Sequence, residues 1–229
     1  MPAAPRIRFY FDPISSNAYL AWCAIPALAA RHGAAIEPVP VLFAGLLEAH
    51  GQLGPAEVRP KALWMWRNNL RKAADLGVEL HPPAFHPFNP LRALRVASLP
   101  DDAGPRCTLA GAVLRAVWVE GLHVSEPEVM ARVATAAGFD GPRLVEEAAR
   151  PEAKARLRAQ TDAAIADGVF GVPTMRVGEE LFWGFDDLPW LDRHLAGEDP
   201  LALRDAPPPG AAIRASAVRR RFRQDGGDA

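Results

Sequence analysis

Strand-like pattern in this 229-residue chain is confined to its two ends, and everything between reads as helix. That distribution leaves few architectures open, because the sheet has to be assembled across a long helical block. Ile7–Asp12 alternates, with Ile7, Phe9 and Phe11 on one side and Arg8, Tyr10 and Asp12 on the other, which predicts a half-buried strand. Ala18–His32 predicts a helix closed by Gly33 and kinked at Pro26. It is apolar nearly all round, so it belongs in the interior. Ala34–Phe43 predicts a second strand, and its prolines assign it to an edge or an irregular start.

Helical spacing then dominates. Lys61–Leu76 predicts a helix closed by Gly77. In Cys107–Glu120, Leu109, Val113 and Val117 form one apolar row. Ser125–Ala137 opens with Ser125 as N-cap, Pro127 in the first turn and Glu128 three residues on. Leu144–Ala149 and Ala153–Asp167 complete the block. Strand character returns at Pro173–Val177, turns at Gly178-Glu179 and runs back over Glu180–Trp183, before a last helix, Asp187–Leu195.

The order β-α-β, helical block, β-β, α predicts an α/β protein with a thioredoxin-like sheet and an inserted all-α subdomain. Residues 7–43 and 168–196 form the discontinuous sheet domain and residues 45–167 the insertion, with a cleft between them as the default ligand site. Residues 206–229, with "PPPG", "RRRFR" and "DGGD", read as a disordered, locally basic tail.

Composition excludes several functions. A net charge of −1 gives the molecule no overall field for nucleic acid or an anionic membrane. Cys23 and Cys107 form neither a disulfide framework nor a zinc spacing, so no metal site is expected. The N-terminus lacks the apolar core of a signal peptide, and no apolar run is long enough to span a bilayer. The expectation is a cytoplasmic protein.

Chemistry concentrates at two places. "FYFDPISSNAYLAW" carries Ser15, Ser16 and Asn17 at a strand-to-helix corner, where many proteins hold a reactive cysteine. Serine there is a helix cap worth about 1 kcal/mol, or a hydrogen-bond donor to an anion at the helix N-terminus. "GVFGVPT" enters a strand through Val172-Pro173, and a cis bond there would free the Val172 backbone to pair with an extended peptide. A peptide thiol held on that edge would point at the corner, where free N–H groups favour a thiolate.

"FYFDPISSNAYLA", "HPFNPLRALR", "WVEG" and "GVFGVPTMRVGEELFWGFDDL" resemble the 2-hydroxychromene-2-carboxylate isomerase family over about residues 7–196. That family is akin to kappa-class glutathione transferases and has a DsbA-like thioredoxin fold. The resemblance implies glutathione as an unconsumed cofactor, with Ser15, in place of a redox cysteine, stabilising its thiolate. It implies that Val172 and Pro173 pair with the cysteinyl part of glutathione. Trp183, Gly184, Phe185 and Asp186 would hold the γ-glutamyl end, with Asp186 facing its ammonium group. Ser16 and Gln52 complete the cofactor side, Gln52 standing where asparagine is usual. For the acceptor it implies Leu47, where the isomerases offer a basic residue, together with Lys61, Trp64, Phe88 and Asn89.

Three departures stand out: Ser15-Ser16-Asn17-Ala18 replaces Ser-Pro-aromatic-Ser, Phe185 replaces a polar residue, and Asp187 replaces an arginine. The expected function is cis-trans isomerisation of a small aromatic or conjugated electrophile in aromatic-compound degradation, by a homodimer. The alternatives are a kappa-like glutathione transferase and a catalytically silent binding module.

Overall fold

A computed structural model describes residues 4–201; the tail read at 206–229 lies outside the described residues. The chain enters as strand β1 (Arg6–Phe11), helix α1 (Ser16–Arg31) and strand β2 (Ala35–Pro40). Seven helices follow: α2 (Phe43–His50), α3 (Arg59–Leu76), α4 (Leu91–Ser98), α5 (Ala103–Trp118), α6 (Pro127–Ala136), α7 (Gly141–Ala149) and α8 (Pro151–Ala166). Strands β3 (Thr174–Val177) and β4 (Glu180–Trp183) and helix α9 (Leu188–Leu195) complete the chain.

The sheet order is β2-β1-β3-β4, with β1 and β2 parallel and the other pairs antiparallel. Pro38 and Pro40 therefore sit on an edge strand, as their missing donors require. This is the mixed sheet of a thioredoxin-like fold with an all-helical insertion between β2 and β3.

Ile7, Phe9 and Phe11 are buried on one face of β1 against α1 and α5. The expected half-burial fails at the end of the strand, where Tyr10 and Asp12 are also inaccessible. A second apolar cluster of Tyr10, Val41, Leu46, Ala164, Val169 and Val172 covers that side. A parallel β1–β2 pair with helices over both faces buries both sets of side chains.

Other local expectations change too. Helix α1 runs uninterrupted through Pro26. The end of the predicted second strand turns into α2 at Phe43. Ser125 does not cap α6; Glu126 holds that position, and the Ser125 hydroxyl donates to the Asn89 carbonyl at 2.7 Å. The last helix begins at Leu188, with Asp187 at its N-cap.

Candidate active site

The corner Asp12–Asn17 is fixed from all sides by hydrogen bonds. Ser15 N–H donates to the Asp12 carbonyl at 3.0 Å, closing the turn out of β1. Trp118 Nε1 donates to the Pro13 carbonyl at 2.8 Å, and His86 Nε2 lies 2.9 Å from the Ile14 carbonyl. Asp12 is fully buried; its carboxylate accepts the Ile14 N–H at 3.0 Å and the Phe43 N–H at 2.9 Å. Phe43 opens α2, and the N–H of the preceding Leu42 donates to Thr161 Oγ1 at 3.0 Å. Side chains 31 and 119 residues away in sequence thus satisfy two unpaired donors at the start of α2.

Burial pushes the Asp12 carboxyl up to about 7, although the two backbone N–H bonds act against the rise. A carboxyl raised in the folded state keeps its proton there while the unfolded chain releases it. The stability this gives is fully present below about pH 4 and is lost as pH rises through about 7, a change of at most about 4 kcal/mol. Urea unfolding at pH 5 and pH 8 should therefore show this fall in wild type, and a smaller fall in Asp12→Asn. Equal pH dependence in the two proteins would remove Asp12 as its source.

Ser15 has extended backbone angles and caps α1, its Oγ accepting the Ala18 N–H at 3.2 Å. The same hydroxyl donates to the Val172 carbonyl at 3.3 Å across a cis Val172-Pro173 bond. The two segments singled out in the sequence therefore meet in one hydrogen bond. Among the described residues nothing accepts the Val172 N–H, so one backbone donor beside Ser15 is open.

The hairpin end folds onto the same corner. Gly184 N–H donates to the Pro173 carbonyl at 2.8 Å, from a backbone with φ near 84° that favours glycine. Trp183, half exposed, packs tilted against Phe170, with ring centres 5.2 Å apart and planes at 51°. A Cβ at Gly171 would lie 2.5 Å from the indole nitrogen, so glycine there lets the ring lie over the loop. Asp187 takes the Trp183 N–H at 2.9 Å, which is the work found for the residue standing in place of arginine.

Helix α3 supplies two polar side chains that the sequence reading missed. Buried Asn69 donates to Ser16 Oγ at 2.6 Å, and the Asn69 carbonyl oxygen has no partner among the described residues. Lys72 reaches Asp186 Oδ2 at 2.8 Å and Asn17 Oδ1 at 3.3 Å, with its ammonium 5.1 Å from the centre of the Phe185 ring. Two of the three departures, Asn17 and Phe185, are thus walls of one lysine cradle. A cation over an aromatic face with an amide and a carboxylate beside it is a stable arrangement. Its sequence signal was weak, since a lysine on an amphipathic helix usually reads as surface.

Ser15, Ser16, Val172, Pro173, Trp183, Gly184, Phe185 and Asp186 accordingly surround the start of α1. The acceptor residues are more scattered. Phe88 is partly buried against the main core and lies edge-on to His86 at 6.4 Å. Asn89 accepts the Leu91 N–H at 3.0 Å at the start of α4. Leu47 lies in α2 and packs on Gly54, while Gln52, just past the end of α2, is exposed. Lys61 and Trp64 are exposed on α3, whereas Trp66 packs against the core. Cys23 and Cys107 are both held above the ordinary thiol range by burial, the reverse of a reactive cysteine.

The DSBA-like thioredoxin domain family matches residues 6–196. A 2-hydroxychromene-2-carboxylate isomerase of Sphingobium xenophagum is 31% identical over 191 residues, spanning 82% of this chain and 97% of the relative. Glutathione S-transferase kappa 1 of Caenorhabditis elegans is 24% identical over 202 residues, 81% of this chain and 88% of the relative. A solved structure of 2-hydroxychromene-2-carboxylate isomerase superimposes with a TM-score of 0.78 at 29% identity, covering 84% of this chain and 95% of that one. With the serine corner, the Val-Pro loop and the sheet order all in place, the chain belongs to the DSBA-like thioredoxin domain family and, within it, to the 2-hydroxychromene-2-carboxylate isomerases.

Proposed function

We propose that this protein binds glutathione at the Ser15 corner and isomerises a hydroxychromene-carboxylate type of substrate, or a close conjugated relative, about a double bond. The carrying observation is the Ser15 hydroxyl, which caps α1 through Ala18 and at the same time faces the Val172 carbonyl. A cysteinyl backbone laid on the loop would take over both groups of Val172, donating to its carbonyl and accepting from its open N–H. The Ser15 O–H is then released to donate to the sulfur, while its oxygen keeps the Ala18 bond. Glutathione, when bound, supplies a thiolate that adds reversibly to a conjugated bond, permits rotation and leaves unconsumed.

Ser15 and the α1 N-terminus hold that negative charge in place. Asp186 faces the γ-glutamyl ammonium, and Lys72 holds the Phe185-Asp186 turn against α1. Val172, Pro173, Trp183 and Gly184 frame the peptide; Ser16 and Gln52 border it. Leu47, Lys61, Trp64, Phe88 and Asn89 are proposed for the acceptor side. The support for glutathione is this geometry together with the likeness to a kappa-class transferase. The same likeness favours transfer as the second reading, since one thiolate serves both reactions. A homodimer in the reducing cytoplasm fits both. No helix among the described residues is long and apolar enough to cross a membrane.

Titrating glutathione while following thiolate absorbance is the direct test: a saturable signal is expected, and its absence at millimolar glutathione would sink the reading. Recovering glutathione unchanged after many turnovers separates isomerase from transferase. Lys72→Met is expected to raise KM for glutathione about ten-fold with kcat little changed, because the lysine orients the turn without touching the sulfur. Stability should change by only about 1 kcal/mol: Lys72 itself is 11% exposed, but methionine keeps its aliphatic packing and the Asp186 left behind is 76% exposed. An equal fall in kcat with unchanged KM would contradict that role.

A further inference from the structure

Away from the Ser15 corner, α4, α7 and α8 enclose a cavity of about 220 Å³ whose charged lining is entirely cationic. Arg92 and Arg95 come from α4 and Lys154 from α8, with no carboxylate on the wall. Among the described residues none of the three forms an ion pair, whereas Arg143, Arg150 and Arg156 nearby are held by Glu147, Glu146 and Asp101. Arg95 Nε is buried and has no hydrogen-bond partner among the described residues. Burial, followed by the like charge of Arg92, lowers the Arg95 guanidinium from its ordinary value.

Position adds to the imbalance. Arg92 lies in the first turn of α4 and Lys154 in the first turn of α8, where the helix dipole already presents positive charge. Glu152 shares the α8 turn but does not line the cavity. A second cavity of about 430 Å³ shares Leu91, Arg95 and Lys154 with the first. Leu42, Leu157 and Ile165 give it apolar surface, and Glu48, Asp162 and Arg158 also line it. The first cavity is thus cationic, and the adjoining one is largely apolar with charges of both signs on its wall.

We propose that this groove binds a small organic oxyanion, its carboxylate or phosphate head held among Arg92, Arg95 and Lys154 and its apolar body in the adjoining cavity. Ser15, Ser16, Val172 and the hairpin end line neither cavity, so the site is separate from the glutathione corner, and Asn89, proposed above for the acceptor side, is the one candidate residue that borders it. An anion at the cationic end supplies the counter-charge that the protein withholds from Arg95.

The test is calorimetric titration of the full-length protein with phenyl phosphate, benzoate and inorganic phosphate at constant ionic strength, supported by thermal shift. Saturable binding is expected for at least one aromatic anion, about ten-fold tighter than for inorganic phosphate. The tighter of phenyl phosphate and benzoate identifies the head as phosphate or carboxylate. Arg95→Met should abolish the binding, leave the glutathione thiolate signal unchanged and keep or raise Tm, because it removes an uncompensated cation. Lys154→Met, at an exposed position, should weaken binding at least several-fold without touching the fold. No saturable binding by either aromatic anion, or affinity undiminished in both variants, would overturn the proposal; so would inorganic phosphate binding as tightly as the aromatic anions.

Discussion

Ser15→Ala is expected to lower turnover of a hydroxychromene-type substrate by about 10²–10³-fold, the usual cost of removing one donor from a developing anion. Glutathione affinity should fall much less, because Val172, Gly184 and the Asp186 turn are untouched. The thiolate absorbance on adding glutathione should disappear at neutral pH and return only at higher pH. Part of any loss will come from the cap, since the Ser15 Oγ accepts the Ala18 N–H and its removal costs about 1 kcal/mol. Ser15→Asp separates the two contributions. Aspartate caps as well as serine, but its carboxylate repels a thiolate, so this variant should fold stably and remain inactive. Activity retained in Ser15→Asp would reduce Ser15 to a cap.

Asp12→Ala should destabilise the protein by about 2–5 kcal/mol, because two part-buried backbone donors, Ile14 N–H and Phe43 N–H, lose their fully buried acceptor. Relief from burying the carboxylate offsets part of this cost near neutral pH, which favours the lower end of the range. For a domain of this size the shift in Tm is about 2–4 °C per kcal/mol. Catalysis should suffer as well, since Asp12 ties the Ser15 turn to the first residue of α2. The expected pattern is lowered kcat and a lower urea midpoint together. Loss of activity with stability unchanged would mean that Asp12 acts on the chemistry and not through the corner. An unchanged protein would mean that water replaces the carboxylate, which its full burial argues against.

The corner and the Val-Pro loop were legible because each carries a local signal: a hydroxyl before a helix, and a proline with glycines upstream at a strand start. A thioredoxin-like fold turns the loop toward the corner; that the two meet directly, through the Ser15–Val172 bond at 3.3 Å, only the structure shows. Helix α2 begins where the pattern predicts the end of a strand, because "VPVLF" runs directly into "FAGLLEAH". What makes it a helix is remote, since Thr161 and Asp12 satisfy its first donors. Local pattern predicts Ser125 as a cap, yet its hydroxyl is drawn to the Asn89 carbonyl, a partner no local rule anticipates.

The sequence by itself determined the order of the strands and of the long helices, limited the proline-bearing β2 to an edge or an irregular start, and placed two serines at the strand-to-helix corner. Those properties depend on neighbours within a few residues, through periodicity, capping and the missing N–H of proline. Only the tertiary structure decided that Asp12 is buried, that Lys72 holds Asp186 with Asn17 and Phe185, and that Arg92, Arg95 and Lys154 share one cavity. Each depends on side chains from separate elements converging, and the energy of a buried charge is fixed by what surrounds it in space, which adjacency along the chain does not encode.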